Sequence, residues 1–158
     1  MAQDQYGNAI FNGATSTGLR NVGSYQVSGH PFITGSTLKL AQEKKISFPY
    51  VTKKVSVIAS GAFAAGTHLR VHFASTSSGP AATGKAGGGS LHVYNHLHFI
   101  ELNSHEDSFE FDVKCKEIYV SSKGGTAGFM LYASLTNIPT GSMYALTGSG
   151  ITKGTAGS

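Results

Sequence analysis

The feature that most constrains the fold is a strict two-residue alternation of apolar and polar side chains. The clearest case is the segment DSFEFDV (residues 107–113), in which Phe109, Phe111 and Val113 alternate with polar residues. Successive side chains of a β-strand point to opposite faces of a sheet, whereas a helix would scatter such a set around its axis. The alternation therefore predicts a strand with one apolar face and one polar face.

Six further segments in the middle of the chain repeat this pattern. Gly- and Ser-rich turn sequences separate them, and Pro49 is expected to interrupt strand pairing. Short strands at this spacing predict an all-β fold, an antiparallel β-sandwich, with a jelly roll as one form of it and a small closed barrel as the alternative. The predicted core positions are Leu38 and Leu40 in STLKLA, Ile46 and Phe48 in KKISFPYV, Val55 and Val57 in KKVSVIAS, Leu69, Val71 and Phe73 in HLRVHFAS, Ile118 and Val120 in KEIYVSS, and Phe129, Leu131, Ala133 and Leu135 in GFMLYASLT.

The length and composition predict one domain with glycine-rich ends. A chain of 158 residues can bury a hydrophobic core, and 21 glycines with only 13% charged residues suit short strands joined by tight turns. We expect an N-terminal arm at residues 1–24, a β-sandwich domain at residues 25–138 and a flexible C-terminal tail at residues 139–158. The longest low-complexity segment inside the domain, residues 75–90, is expected to be a loop.

Charge and cysteine content argue against several classes of protein. The net charge is +4, but the basic residues are scattered, with doublets at Lys44–Lys45 and Lys53–Lys54, so we expect no nucleic-acid partner. Neither a signal peptide nor an apolar run of about 18 residues is apparent, so we expect synthesis in the cytosol and no membrane insertion. Cys115 is the one cysteine and is expected to be a small buried or half-buried residue.

Three histidines fall within SLHVYNHLHFIEL (residues 90–102). If this segment is a strand, Leu97 and Phe99 match the parity of a core face, and His96 and His98 point outward. His72 also points away from the apolar face of its own segment. If the two strands lie side by side, the imidazoles of His72, His96 and His98 would share one surface and would suit Zn²⁺ or Ni²⁺. The alternative, which we favour, is a polar outer face or a subunit contact. In a subunit contact, protonation near pH 6 would make assembly pH-sensitive.

Searches for other chemistry give negative expectations. The acidic stretch ELNSHEDSFEFD lacks the spacing of a calcium loop and is expected to form a solvated turn followed by the outward half of a strand. There is no nucleophile elbow and no phosphate-binding loop, and the absence of Trp weakens a sugar-binding or glycosidase function. We therefore predict no catalytic, cofactor-binding or metal-binding residues and no enzymatic activity. The acidic residues of the stretch ELNSHEDSFEFD, none of which is predicted to bind a metal ion, are Glu101, Glu106, Asp107, Glu110 and Asp112.

Four segments together resemble a group of small β-rich structural proteins of tailed bacteriophages, of the capsid-decoration or tail-associated kind. They are ISFPYVTKKVSVIAS, THLRVHFAST, LHFIELNSHEDSFEFDVKCKEIYVSS and GFMLYASLTNIP, and the resemblance covers roughly residues 45–139. It is a similarity of pattern and carries over no catalytic residue and no cofactor.

The resemblance implies a non-enzymatic virion protein, made in the host cytoplasm, that assembles on a phage capsid or tail in the manner of a decoration or cement protein. It implies a homo-oligomer, with a trimer favoured, in contact with other virion proteins such as the major capsid protein. Two alternatives remain open. One is a glycan- or receptor-binding module of a phage fibre or spike, and the other is a metal-dependent enzyme that uses His72, His96 and His98.

Overall fold

The structure, a computed structural model, describes residue 19 and residues 29–74 and 98–143, and these form an antiparallel β-sandwich. The predicted all-β class is confirmed. Within the described residues, no helix is long and apolar enough to span a bilayer. The elements are β1 (His30–Leu38), β2 (Glu43–Ser47), β3 (Tyr50–Ser60), β4 (His68–His72), β5 (Ile100–Leu102), β6 (Ser108–Phe111), β7 (Glu117–Lys123), β8 (Ala127–Pro139) and a 3₁₀ turn (Thr140–Ser142).

The eight strands form two four-stranded sheets with the orders β1-β8-β3-β6 and β2-β7-β4-β5. Every strand pair is antiparallel. The pairs are nested: the first strand lies beside the last, the second beside the seventh, the third beside the sixth and the fourth beside the fifth. Such an order arises when one long antiparallel hairpin folds over so that its two halves face each other.

The hydrophobic core lies between the two sheets and follows the predicted parity. Leu131 in β8 is 1% exposed, and its alternating neighbours Phe129, Ala133 and Leu135 are also buried. Fully burying a Leu or Phe side chain contributes about 1.5–3 kcal/mol. The opposite sheet supplies the facing layer, and the predicted core positions that it buries are Ile46, Leu69, Val71, Ile118 and Val120.

Two predicted core residues are solvent-exposed in the structure. Leu40 is 62% exposed because β1 ends at Leu38 and the chain turns, with the N–H of Gln42 donating to the carbonyl of Lys39 at 3.1 Å. Phe109 is 42% exposed although it pairs with buried Val57, because β6 is a short strand at the edge of its sheet. Alternation predicts which face a side chain takes, but it does not predict where a strand ends or which strand lies at an edge.

An irregular stretch of β3 is held by a buried threonine. The pairing of β3 with β8 shifts register between Tyr50 and Lys54. Within this stretch the hydroxyl of Thr52 donates to the carbonyl of Val113 at 2.6 Å and accepts from the N–H of Cys115 at 2.9 Å. Cys115 is fully buried, as predicted. Thr52 therefore satisfies backbone groups of the segment between β6 and β7.

A second, smaller apolar cluster closes one end of the sandwich. Val51, Ile138 and Met143 are buried there, and Leu19 packs against them. The ammonium group of Lys114 donates to the carbonyl of Leu19 at 3.2 Å. The described chain thus continues past the predicted boundary at residue 138. The remainder of the predicted arm (residues 1–24) and tail (residues 139–158), and the predicted loop at residues 75–90, lie outside the described residues.

Candidate functional site

Of the histidines that sequence analysis placed on one surface, His72 lies on the outer face of the β2-β7-β4-β5 sheet. The side chains that share this face stand in two cross-strand rows. Side chains directly opposite each other on one face of an antiparallel pair are about 5 Å apart and interact. We call this set the polar face: one row contains Glu43, Ser121, Arg70 and Glu101, and the other contains Lys45, Tyr119 and His72.

Most of the polar face is buried, although the alternation predicts a solvated surface. Glu43 is 3% exposed, His72 1% and Ser121 2%. Tyr119 and Arg70 are buried as well. The predicted direction of Arg70, His72 and Tyr119 is correct. A subunit contact, one of the two alternatives favoured from the sequence, is not needed to explain the burial of His72, because the chain itself buries it.

His72 is held by two hydrogen bonds that fix its tautomer. Nδ1 donates to the carbonyl of Ala74 at 2.7 Å, so Nε2 is the acceptor for the hydroxyl of Ser121 at 2.9 Å. The imidazole also stacks on the ring of Tyr119, with centroids 5.9 Å apart and planes at 11°. Both ring nitrogens are therefore engaged in contacts within the fold.

Burial keeps His72 neutral. Desolvation lowers the pKa of His72 and outweighs the opposing influence of the Ala74 carbonyl and of Glu43, whose Oε2 lies 3.8 Å from Nε2. Nearby Arg70 lowers this pKa further. At neutral pH the imidazole is thus an uncharged hydrogen-bonding link between β4 and β7.

The pair of Ser121 and His72 has the contact of a nucleophile with its base, and the Ala74 carbonyl orients the imidazole as a third group would. Reaction also requires that a substrate atom reach the hydroxyl. Ser121 lies on β7, an inner strand of the sheet, and is 2% exposed, as closely buried as its base. The geometry supports a structural hydrogen bond rather than a nucleophilic centre.

A second linked group ties β4 to β5. Arg70 Nε donates to Glu101 Oε2 at 2.7 Å, and the guanidinium lies 4.2 Å from the centre of the Phe99 ring. His68 Nδ1 lies 3.0 Å from the other oxygen of Glu101. A charge-assisted hydrogen bond combined with a cation–π contact fixes the guanidinium in one orientation.

At the β2 side of the polar face, Lys45 and Glu117 form an ion pair. Burial alone would raise the pKa of Glu117, but hydrogen bonds from Lys45 and from the Tyr119 hydroxyl, which lies 3.0 Å away, lower it overall. Burial and the neighbouring carboxylate raise the pKa of Tyr119. Glu117 is thus ionised and Tyr119 protonated at neutral pH, and these contacts tie β2 to β7.

The predicted grouping of His72 with His96 and His98 is only partly tested. His96, like His92, lies outside the described residues. His98 is described, but β5 begins only at Ile100, so strand parity does not extend to it. Across the described ranges, no cluster of three or more His, Cys, Asp or Glu side chains could hold a metal ion.

The predicted orientation of Phe99 is wrong. Within β5, Leu102 is the buried residue opposite Leu69, and Glu101 points outward opposite Arg70. Phe99 precedes the strand and packs against the Arg70 guanidinium, so it covers the polar face instead of entering the core. The short apolar run LHFI fits either parity, and only pairing with β4 decides between them.

The acidic stretch forms the predicted turn. Asp107 Oδ2 accepts from the backbone N–H groups of Ser104 at 2.9 Å and Asn103 at 3.1 Å. Glu106 is exposed and has a φ of 67°. The carboxylate of Asp107 is thus used to close the turn, while Glu110 in β6 points outward and pairs with Lys54 at 2.8 Å.

Sequence reasoning missed Glu43 and Ser121 as members of the polar face. The alternation in KEIYVSS does place Ser121 on the same face as Tyr119, which is the available signal. The contact between Ser121 and His72 depends on the pairing of β7 with β4, and the two residues are 49 positions apart in the sequence.

Comparison of the chain with protein families, with curated proteins and with solved structures finds no match.

Proposed function

We propose that this chain is a non-enzymatic structural protein of a bacteriophage virion, of the decoration or cement type, that assembles on the capsid or tail. The observation that carries the proposal is the nested strand order, 1-8-3-6 facing 2-7-4-5. We interpret this order as a jelly roll, because eight strands in two facing sheets with nested pairs are its topology. Viral capsid domains commonly use this architecture, and so do lectins.

The polar face supports a structural role. Its buried imidazole, hydroxyl and guanidinium groups are engaged by neighbouring groups of the fold, as in the contacts of His72 with Ser121 and of Arg70 with Glu101. Buried polar networks of this kind rigidify a fold and specify one arrangement when their members are satisfied. A rigid sandwich that presents constant outer surfaces suits a protein that acts by surface complementarity with identical copies and with a major capsid protein. We propose a homo-oligomer, with a trimer favoured.

The test is to locate the chain on the particle. The full chain would carry a small epitope tag after residue 158, and purified virions would be labelled with antibody-bound gold and imaged in negative stain. We expect gold at regular positions on the shell or tail, and untagged virions treated identically serve as the control. Particles that bind no more gold than the control would overturn the proposal.

A second candidate is a glycan-binding module of a fibre or spike. A groove of about 370 Å³ lies at one end of the β1-β8-β3-β6 sheet, and its lining combines hydroxyl and backbone groups with the apolar side chains of Phe129 and Met130 and carries no charged side chain. Hydroxyl-rich ligands suit such a lining, and lectins share the architecture. The lining includes Ser36, Thr37, Ser60, Ala62 and Thr126.

A glycan array probed with the full chain separates the two functions. Saturable binding that is lost on Thr37→Val, while the fold is retained, would favour the glycan-binding candidate. Absence of binding across the array, together with gold labelling of the particle, would favour the structural one.

A further inference from the structure

The outer face of the β1-β8-β3-β6 sheet carries an exposed apolar patch. Ile33 is 78% exposed, Met130 50% and Tyr132 41%, and Ile58 is half-buried. The patch is contiguous, because Ile33 pairs with Tyr132, and Ile58 pairs with Met130 in the adjacent row. An antiparallel sheet that faced only water would carry polar residues at these positions, so a contiguous apolar set marks a contact surface.

The patch itself contains no charged side chain. The row that contains Tyr132 continues through Ser56 to Glu110, and this carboxylate accepts a hydrogen bond from Lys54 at 2.8 Å. Asp112, 4.0 Å from the same ammonium group, lies at the same margin of the sheet. A nucleic acid or a strongly acidic protein would need a row of basic groups here, whereas the uncharged patch of a second copy meets it without repulsion between like charges.

The relief of the patch is self-complementary. Met130 stands between Gly35 and Ile58, and Tyr132 stands between Ile33 and Ser56. Each of these two large residues of β8 therefore has one very small neighbour beside it. When the same face is turned by a twofold rotation, protruding side chains of each copy can fit over the Gly35 and Ser56 positions of the other. A twofold contact uses one patch on both copies, so each patch must offer both protruding and recessed positions.

The area is that of a protein interface. With strands about 4.8 Å apart and about 3.4 Å per residue, nine residues in each of β1, β8 and β3 and four in β6 give a sheet face on the order of 500 Å² in projection, and its accessible area is larger. A standard interface buries roughly 800 Å² on each partner. Face-to-face packing of two sheets about 10 Å apart would therefore bury an area of the required size.

We propose that this apolar patch is the surface on which a second copy of this chain docks, sheet face against sheet face. The inference rests on the proposed structural function and names a twofold contact that joins copies in pairs. The trimer favoured above needs a separate contact, so this one would join two trimers or, alone, form a dimer. Its core is Ile33, Ile58, Met130 and Tyr132, and the paired charges of Lys54 and Glu110 form part of its rim. The buried polar face of the opposite sheet then takes no part in this contact.

Sedimentation velocity of the full chain, unmodified and as Met130→Glu, tests the proposal. The unmodified chain should sediment with a mass that is a multiple of 16.4 kDa. Met130→Glu should weaken self-association at least about tenfold, because two buried carboxylates would face each other across the contact. Ile33→Thr, a milder change that retains a β-branched side chain in β1, should weaken it in the same direction.

Leu40→Glu is the matched control, since Leu40 is 62% exposed but lies in the turn after β1, outside the patch. It should leave the sedimenting mass unchanged, and circular dichroism should show that all variants keep the fold. An oligomer that is unaffected by Met130→Glu and Ile33→Thr would overturn this contact but leave the virion function intact. A chain that stays monomeric up to about 100 μM would also overturn it, and if the patch variants then failed to bind virions, the occupant would be another virion protein.

Discussion

His72 in β4 and Ser121 in β7 are diagonal neighbours across the two strands, with Nε2 2.9 Å from Oγ and both side chains almost completely buried. The sequence alone allows His72 to be a metal ligand, whereas in the structure its imidazole makes hydrogen bonds within the fold. Its two nitrogens join a backbone carbonyl to a hydroxyl, and its ring stacks on Tyr119. The histidine therefore stabilises the sheet.

Replacement of His72 by Phe should destabilise the fold by about 1–3 kcal/mol, because the flat ring remains but the hydrogen bonds to Ala74 and Ser121 are lost. Urea unfolding followed by circular dichroism measures the change. His105→Phe is the control, since the side chain of His105 is 58% exposed, and it should shift stability by no more than about 0.5 kcal/mol. Equal effects of the two substitutions would contradict a structural role for His72.

Stability should decrease as the pH falls below about 6.5. The folded pKa of His72 is lowered, so in this range the unfolded chain binds a proton that the folded chain does not. The free energy of unfolding then falls by at most about 1.4 kcal/mol per pH unit, and above pH 6.5 this contribution is flat. Unfolding curves between pH 5 and 8 should show this slope in the unmodified chain and a shallower one in His72→Phe. Identical slopes would show that another group is responsible.

Stability should also decrease above about pH 9. Burial raises the pKa of the Cys115 thiol from 9.0 to about 11, so the unfolded chain loses this proton first. The resulting loss approaches roughly 2–3 kcal/mol near pH 11, and Cys115→Ala should remove that part of the slope. Ellman's reagent at pH 8 should react with the thiol only as fast as the protein unfolds. Immediate reaction of the native protein would contradict the burial of this side chain.

Thr52→Val should cost about 2–4 kcal/mol although the two side chains have the same shape. The hydroxyl of Thr52 is the acceptor for the Cys115 N–H and the donor to the Val113 carbonyl, and removing it leaves buried backbone groups without these bonds. Thermal unfolding measures the loss. The same substitution at exposed Thr37 should be nearly neutral, and a similar loss at both positions would count against the role of Thr52 in the irregular stretch of β3.

Protein purified without a histidine tag should contain less than about 0.1 equivalent of zinc or nickel per chain. His72 would have to give up a hydrogen bond to the Ala74 carbonyl or from Ser121 before it could bind a metal ion. Elemental analysis by mass spectrometry measures the content. One equivalent of metal that is lost on His72→Phe would reinstate the metal site.

Alternation predicts most of the fold, because one-sided burial fixes the direction of each side chain along a strand. It places Phe129 and Leu131 correctly, and it gives the right direction for His72 and Tyr119. It is wrong at Leu40, where a turn intervenes, and at Phe99, where only pairing with β4 decides the parity.

The burial of the polar face could not be predicted from alternation, since period-2 polarity is the same whether the face meets water or other parts of the chain. The contact between His72 and Ser121 depends on strand pairing across a long sequence separation, and local pattern carries no information about it. The exposed apolar patch of the other sheet could not be predicted either, because alternation predicts that Met130 points outward into water and makes no prediction for Ile33.

The most direct test of the central claim, that this chain is a structural component of a virion, is its copy number in purified particles. Quantitative mass spectrometry across the fractions of a density gradient should find the chain at a fixed ratio to the major capsid or tail protein in every fraction that contains particles. Particle fractions that lack the chain, with the chain recovered only among unassembled proteins, would contradict the account.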